Sequence, residues 1–412
     1  MAVLTAINFV NYIDRYVVGA VANAIGLEFH VTDDITGLVG SVFIVVYTVV
    51  APLSGWLGDR VPRRRIIAVA VGCWSLATIG SGQAQDVDTL LLMRGLVGIG
   101  EAGYATVAPT IIADLFPAER RGRQLSWFYL AIPLGSAMGY LLGGWVGELA
   151  GWRWAFVVAG SPGLLLAIAA WFLPEPQRGA ADGGAPPQPL PMAAALRAMW
   201  ASRDWPTVTL GMALMTFAMG GIAFWMPAFL EVEFEVGAGL ANTAFGGVTV
   251  VAGLAGTVLG GILGDRANRR RAGGYLWVSG WGLLLGAPLV LMMPFTGGFA
   301  SALALAFAAE LLLFLNTGPL NAAIVDSVPA AIRASAFAAN VFVIHALGDA
   351  GSPYLLGLVS RSSGRGMAIA VCGVPLAIAG VVLLLGARRA AASGGVTHPG
   401  AADAREPPPP AH

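Results

Sequence analysis

The sequence predicts an all-α integral membrane protein: twelve transmembrane helices in two six-helix, pseudo-symmetric halves. Three observations predict it. Hydrophobic residues fill 57% of 412 positions, and mean hydropathy is +0.74. Several charge-free runs reach the roughly 20 residues a helix needs to cross the hydrocarbon. Finally, a loop motif recurs halfway along the chain.

The first helix starts near residue 2 and contains INFVNYIDRYVV, Ile7 to Val18. The small-residue stretch AVANA, Ala20 to Ala24, resembles a signal cleavage site. However, no basic segment precedes it and Asp14 and Arg15 interrupt the apolar run, so it is read as a retained span. Gly37 to Leu57 is the second span, and the third carries Cys73. Arg94 and Glu101 lie on the fourth, Leu125 to Gly147 forms the fifth and Trp154 to Leu173 the sixth. A Pro/Gly/Ala-rich linker follows, Pro174 to Leu190, with a short interfacial helix expected over Met192 to Trp205. Trp205 to Leu230 is the seventh span; the eighth ends at the repeated motif. Ala272 to Ala309 is long enough for two spans, with the turn at Pro294, Gly297 and Gly298. His345 and Asp349 mark the eleventh and Gly366 to Ala387 the twelfth. The expected organisation is therefore a first half over 1–173, a linker over 174–205, a second half over 206–387, and a disordered tail over 388–412.

The repeat is GWLGDRVPRRR, Gly55 to Arg65, which returns as GGILGDRANRRR, Gly260 to Arg271, with Asp59 and Asp265 206 residues apart. DLFPAERRGR from Asp114 is echoed by DSVPAAIRAS from Asp326, which aligns Arg121 with Arg333. The chain has no lysine, and 18 of its 23 arginines fall on one side when the N-terminus is placed inside. This asymmetry predicts both termini in the cytoplasm. The expected location is multi-pass in a bacterial inner (plasma) membrane.

Several function classes are disfavoured. The sequence contains no HExxH, Walker or GxSxG motif, so an enzyme is not expected, and no cofactor or metal is implied. No loop is long enough for a sensor domain, and active transport without an ATP motif must be ion-driven. The two cysteines, Cys73 and Cys372, fall within spans and suggest no disulfide framework. The expected partners are a small-molecule or lipid substrate, protons and membrane lipids, with no nucleic acid; the chain is expected to be a monomer.

These motifs resemble the major facilitator superfamily over nearly the whole chain. Gly55, Asp59, Arg60, Arg63, Arg64 and Arg65 resemble its loop 2-3 motif, with Pro62 in place of the usual glycine. Arg94, Gly98 and Gly100 resemble its fourth-helix motif. Gly135, Gly139, Gly143 and Gly144 resemble the fifth-helix motif associated with exporters and antiporters, although Tyr140 replaces a common proline. NYIDRYVV, GIGEAGYATVAPTIIADLFP, FYLAIPLGSAMGYLLGG and NVFVIHALGDAGSPYLLG are similar to the spinster-like group. The first and second are shared in part with organic anion symporters. Membership of the spinster-like group would imply proton-coupled lipid transport involving Asp14, Arg15 and Glu101.

The residues support a site at mid-membrane. At 1.5 Å per residue, Asp14 lies roughly 18 Å along the first helix and Glu101 roughly 16 Å along the fourth, so the two carboxylates share a depth. Asn8, Asn11 and Arg15 form a polar stripe with Tyr12 on its flank. Arg94 is about 10 Å from Glu101 along the axis, which leaves Arg15 as the cation for Glu101 and makes Arg94 a poor partner for a mid-membrane substrate. Burial disfavours a charged carboxylate and a nearby cation favours it, so movement of Arg15 would change proton affinity. A permanent ion pair holding two helices together is the competing reading.

The substrate cavity is expected to include Asn11, Tyr12, Arg15, Tyr104, Phe224, Asn316, Asn321, His345 and Asp349. Bulky residues on the seventh helix and Arg15 favour a lysolipid or other single-chain amphiphile. A small organic anion or drug-like molecule is the alternative, and it would need a second cation. Asp59, Arg60, Arg64, Arg94, Arg121, Asp265, Arg266 and Arg333 are assigned to gating, in preference to lipid headgroup sites.

Overall fold

The structure is a computed structural model and describes residues 1–58, 60–116, 118–177, 192–202, 204–329 and 332–392. Among these residues, ten helices are long and apolar enough to cross a membrane. Two more, each bearing charge, complete the twelve.

The first half holds α1 (Ala2–Ala20, continuing as Ala22–Phe29), α2 (Asp33–Gly58), α3 (Arg63–Ser81), α4 (Val87–Leu115), α5 (Ala118–Ala150) and α6 (Trp152–Trp171). The second holds α7 (Trp205–Glu233), α8 (Ala238–Arg270), α9 (Gly274–Leu291), α10 (Phe299–Phe314 and Thr317–Asp326), α11 (Arg333–Ile344, His345–Asp349 and Ser352–Ser363) and α12 (Arg365–Val371 and Gly373–Ala392). A separate helix, Met192–Ala201, lies in the linker. The last helix continues through Arg388 and Arg389, where the sequence reading placed the start of a tail. Its alanines are strong helix formers and its arginines complement the C-terminal dipole.

Local chemistry sets the ends and breaks. Asp86 caps α4, and the hydrogen bond its carboxylate accepts from the Thr89 N–H, at 2.7 Å, holds its pKa below the usual range. Gly151 (φ 91°) and Gly364 (φ 85°) make the tight connections from α5 to α6 and from α11 to α12. The expected turn at Pro294 is a short 3-10 segment, Met293–Phe295. α10 breaks just before Pro319, at Leu315 and Asn316, because proline denies the Leu315 carbonyl its helical donor.

Gly135, Gly139 and Gly143 of α5 face α1 in their own half, while Gly144 faces Asn242 and Ala238 of α8 in the other. A Cβ on Gly135 would lie 2.6 Å from the Phe9 carbonyl oxygen, and one on Gly139 2.7 Å from that of Ile13, so α1 rests on bare α5 backbone.

Candidate functional site

Asp14 and Arg15 are adjacent on α1, so their side chains leave the helix about 100° apart and meet different partners. Arg15 Nε donates to Glu101 Oε2 at 2.6 Å. Asp14 accepts from the Thr78 hydroxyl of α3 and, at 3.3 Å, from Arg94 Nη1. Asp14, Arg94 and Glu101 are fully buried. Two acids and two bases thus form a pair of bridges between α1 and α4, and their formal charges cancel.

Aromatic rings from α1 and α2 enclose the cations. The guanidinium carbons of Arg15 and Arg94 lie 5.2 and 5.1 Å from the Phe43 ring, and that of Arg15 lies 4.9 Å from Tyr47. Several polar atoms keep unused bonding capacity: Arg94 Nε and Nη2, Glu101 Oε1 and Asn11 Nδ2 have no hydrogen-bond partner among the described residues.

Beside this network is a cavity of about 120 Å³ at the junction of the halves, lined by Tyr12, Arg15, Phe43, Tyr47, Phe224, His345 and Asp349 among others. The Arg15 side chain is 17% exposed and Glu101 is not, so the guanidinium faces the cavity and the carboxylate sits behind it. Across from Arg15, His345 Nδ1 lies 3.0 Å from Asp349 Oδ1. This pair occupies a single π-turn, closed by the Ala350 N–H bonding to the His345 carbonyl.

Five residues expected to line the cavity do so: Tyr12, Arg15, Phe224, His345 and Asp349. Four do not. Tyr104 donates to the Leu4 carbonyl inside the first half. Asn316 and Asn321 return to carbonyls of their own helix, as polar residues at helix breaks and on apolar faces commonly do. Asn11 is buried outside the cavity lining.

Arg94 requires a correction. The sequence reading gave it no partner and placed it too far from mid-membrane to meet a substrate; the structure puts it in the cavity wall as the partner of Asp14. Axial depth misled because a long arginine stem and helix tilt bridge several ångströms. The pairing carries a stability prediction. Arg94→Ala leaves a buried carboxylate without its cation and should cost about 3–5 kcal/mol, whereas Asp14→Asn combined with Arg94→Ala should cost less than Arg94→Ala alone. Thermal unfolding of the purified variants gives this comparison.

The other gating residues lie within their own halves. Arg60 stacks on Trp56 and donates to its carbonyl; the Arg64 N–H donates to Glu175; Arg333 donates to the Val325 carbonyl. Asp265 accepts from Tyr275, and Arg266 lines a lateral groove. Asp59 and the Arg121 side chain lie outside the described residues.

The hydrogen bonds that join the halves cluster at the end opposite the termini. Arg365 bridges to Asp33 at 3.1 and 3.2 Å and to Asn23 at 2.8 Å, and Asn23 also donates to Glu231 at 2.7 Å. Glu148 accepts from the Gly239 N–H at 2.6 Å, and Tyr140 donates to the Ala223 carbonyl at 2.6 Å. At Gly37 the backbones are so close that a Cβ would sit 2.2 Å from the Pro353 carbonyl oxygen. Sequence reasoning missed this clasp because polar residues at the ends of separate spans carry no signal of which neighbour they meet. It also missed Thr78, Phe43 and Tyr47; the i, i+4 spacing of the last two was the available signal.

The family profile described as Major Facilitator Superfamily matches residues 4–353. Protein spinster of Drosophila melanogaster is 34% identical over 372 residues, covering 88% of this chain. This chain spans 62% of that protein's length. Protein spinster homolog 1 of Rattus norvegicus is 38% identical over 383 residues, covering 87% of this chain and 72% of the relative. A bacterial homologue of the human lysosomal transporter Spinster, crystallised in an inward-facing and unoccupied conformation, shares the fold with a TM-score of 0.86. The match covers 94% of this chain and 96% of that one at 24% identity.

Proposed function

This chain belongs to the major facilitator superfamily and, within it, to the spinster-type transporters, and from that premise we propose a proton-coupled, alternating-access transporter of a single-chain amphiphile with an anionic headgroup, such as a lysolipid. The observation that carries this reading is the Arg15–Glu101 bridge, whose cation faces the cavity while its carboxylate is hidden behind it. An anion entering the cavity competes with Glu101 for Arg15. A buried carboxylate deprived of its cation is neutralised by a proton, so anion and proton bind together. Asp14, coupled to Glu101 through the same four-charge cluster, completes the proton site.

With both termini cytoplasmic, as the arginine asymmetry suggests, and the chain placed in a bacterial inner membrane, the clasp at the opposite end closes the outer side and supports an inward-facing state. In this state the cavity is smaller than the roughly 300–1,000 Å³ of ligand sites, so an amphiphile fits only after the halves separate further around Arg15. Phe43, Phe224 and Pro353 offer an apolar wall to its chain, while Arg15 meets a phosphate or carboxylate.

A compact organic anion is the second reading, favoured by Arg94, which supplies a second guanidinium at the cavity wall. Uptake into proteoliposomes under an imposed proton gradient distinguishes the two. Lysophospholipids and phosphorylated sphingoid lipids should be carried or compete. Competition by small carboxylates, with no effect from lysolipids, would overturn the amphiphile assignment.

A further inference from the structure

We propose that the lateral groove between α8, α9 and α10, distinct from the transport cavity, binds an anionic phospholipid of the surrounding bilayer. The groove has a volume of about 740 Å³. Arg266, Arg270 and Arg271 line one end, with Trp277, Trp281 and Leu285 running away from them along α9. Leu312 and Leu315 of α10 line it further. No carboxylate is among its described lining residues. The Arg271 guanidinium carbon lies 5.1 Å from the Trp277 ring, and Arg271 Nε is buried with no hydrogen-bond partner. Both tryptophans are exposed on the helix surface, where a membrane interface favours them. A cationic head joined to an apolar trough matches a lipid phosphate and its acyl chain, and a soluble anion would use only the first part.

The two copies of the internal repeat differ in how their arginines are paired. In the first half, one arginine of the same motif is consumed by carboxylates: Arg63 donates to Asp114 at 2.5 Å and to Glu175 at 3.2 Å, while the Arg60 and Arg64 side chains donate to backbone carbonyls. The equivalent of Arg63 in the second half is Arg269, which is exposed, as is Asp326, the equivalent of Asp114. Beyond the last span of the first half lies Glu175, whereas the last helix of the second half ends with Arg388 and Arg389. Among the described residues Arg269 has no ion pair like that of Arg63, so the second copy of the motif is the more open to an anionic headgroup.

The test uses the full-length, delipidated protein in detergent, titrated with phosphatidylglycerol or phosphatidylcholine and examined by native mass spectrometry. Wild type should retain phosphatidylglycerol roughly tenfold or more better than phosphatidylcholine. R266Q/R270Q/R271Q should lose that preference, and R64Q/R65Q should keep it. Independently, brominated phosphatidylglycerol should quench wild-type tryptophan emission more than brominated phosphatidylcholine, with the excess absent in W277F/W281F; this readout stands even if the triple variant fails to fold. Equal retention of the two lipids, undiminished preference in the triple variant, or excess quenching that survives loss of both tryptophans would overturn the proposal. Displacement of the lipid by millimolar inorganic phosphate would overturn it too, as evidence of a free-anion site.

Discussion

Arg15→Ala should cut transport by well over tenfold, the largest effect expected of any single substitution in the site. The guanidinium is the cation exposed to the cavity, and in the proposed cycle it bonds alternately to Glu101 and to the substrate anion. Removing one partner of a buried charge pair typically costs about 2–5 kcal/mol, which corresponds to a loss of roughly thirtyfold to several thousandfold. The effect should exceed that of Arg15→Lys, which keeps the charge but loses the planar fork that packs beside Phe43 and Tyr47. Initial rates of uptake into proteoliposomes at matched protein density measure both variants. Arg15→Ala retaining wild-type uptake would remove the residue from the substrate path.

Glu101→Gln has the second large effect, and it separates binding from coupling. Glutamine fills the same volume and accepts a hydrogen bond from Arg15 through its amide oxygen, but it binds no proton. Arg15 is then permanently available to an anion, so substrate binding survives while the linkage to protons is lost. The competing view, a permanent ion pair between α1 and α4, predicts a different outcome: the variant loses stability, and whatever transport remains still follows the gradient.

The spans were legible because hydropathy and length act locally, and the Arg15–Glu101 contact was legible because two charges at one depth in hydrocarbon must find each other. The Arg94–Asp14 contact was not, since helical rise gives depth along an axis but neither tilt nor side-chain reach. The π-turn at His345–Asp349 depends on one i→i+5 bond that no residue pattern announces. Gly37 and Gly357 illustrate a related gap. Each accepts the other half's backbone at a distance that excludes a Cβ, yet a glycine in sequence does not say which neighbour needs the space. Asn316 and Asn321 were over-read: a polar side chain within a span can satisfy itself on its own helix carbonyls without reaching a cavity.

The central claim, that Glu101 carries the coupled proton, is tested most directly by the ratio of uptake rates with and without an imposed proton gradient, measured for wild type and Glu101→Gln in the same proteoliposome preparation. Wild type should show a ratio well above one, and Glu101→Gln a ratio of about one with downhill substrate exchange retained. A Glu101→Gln variant that exchanges substrate and still responds to the gradient as wild type does would contradict the assignment.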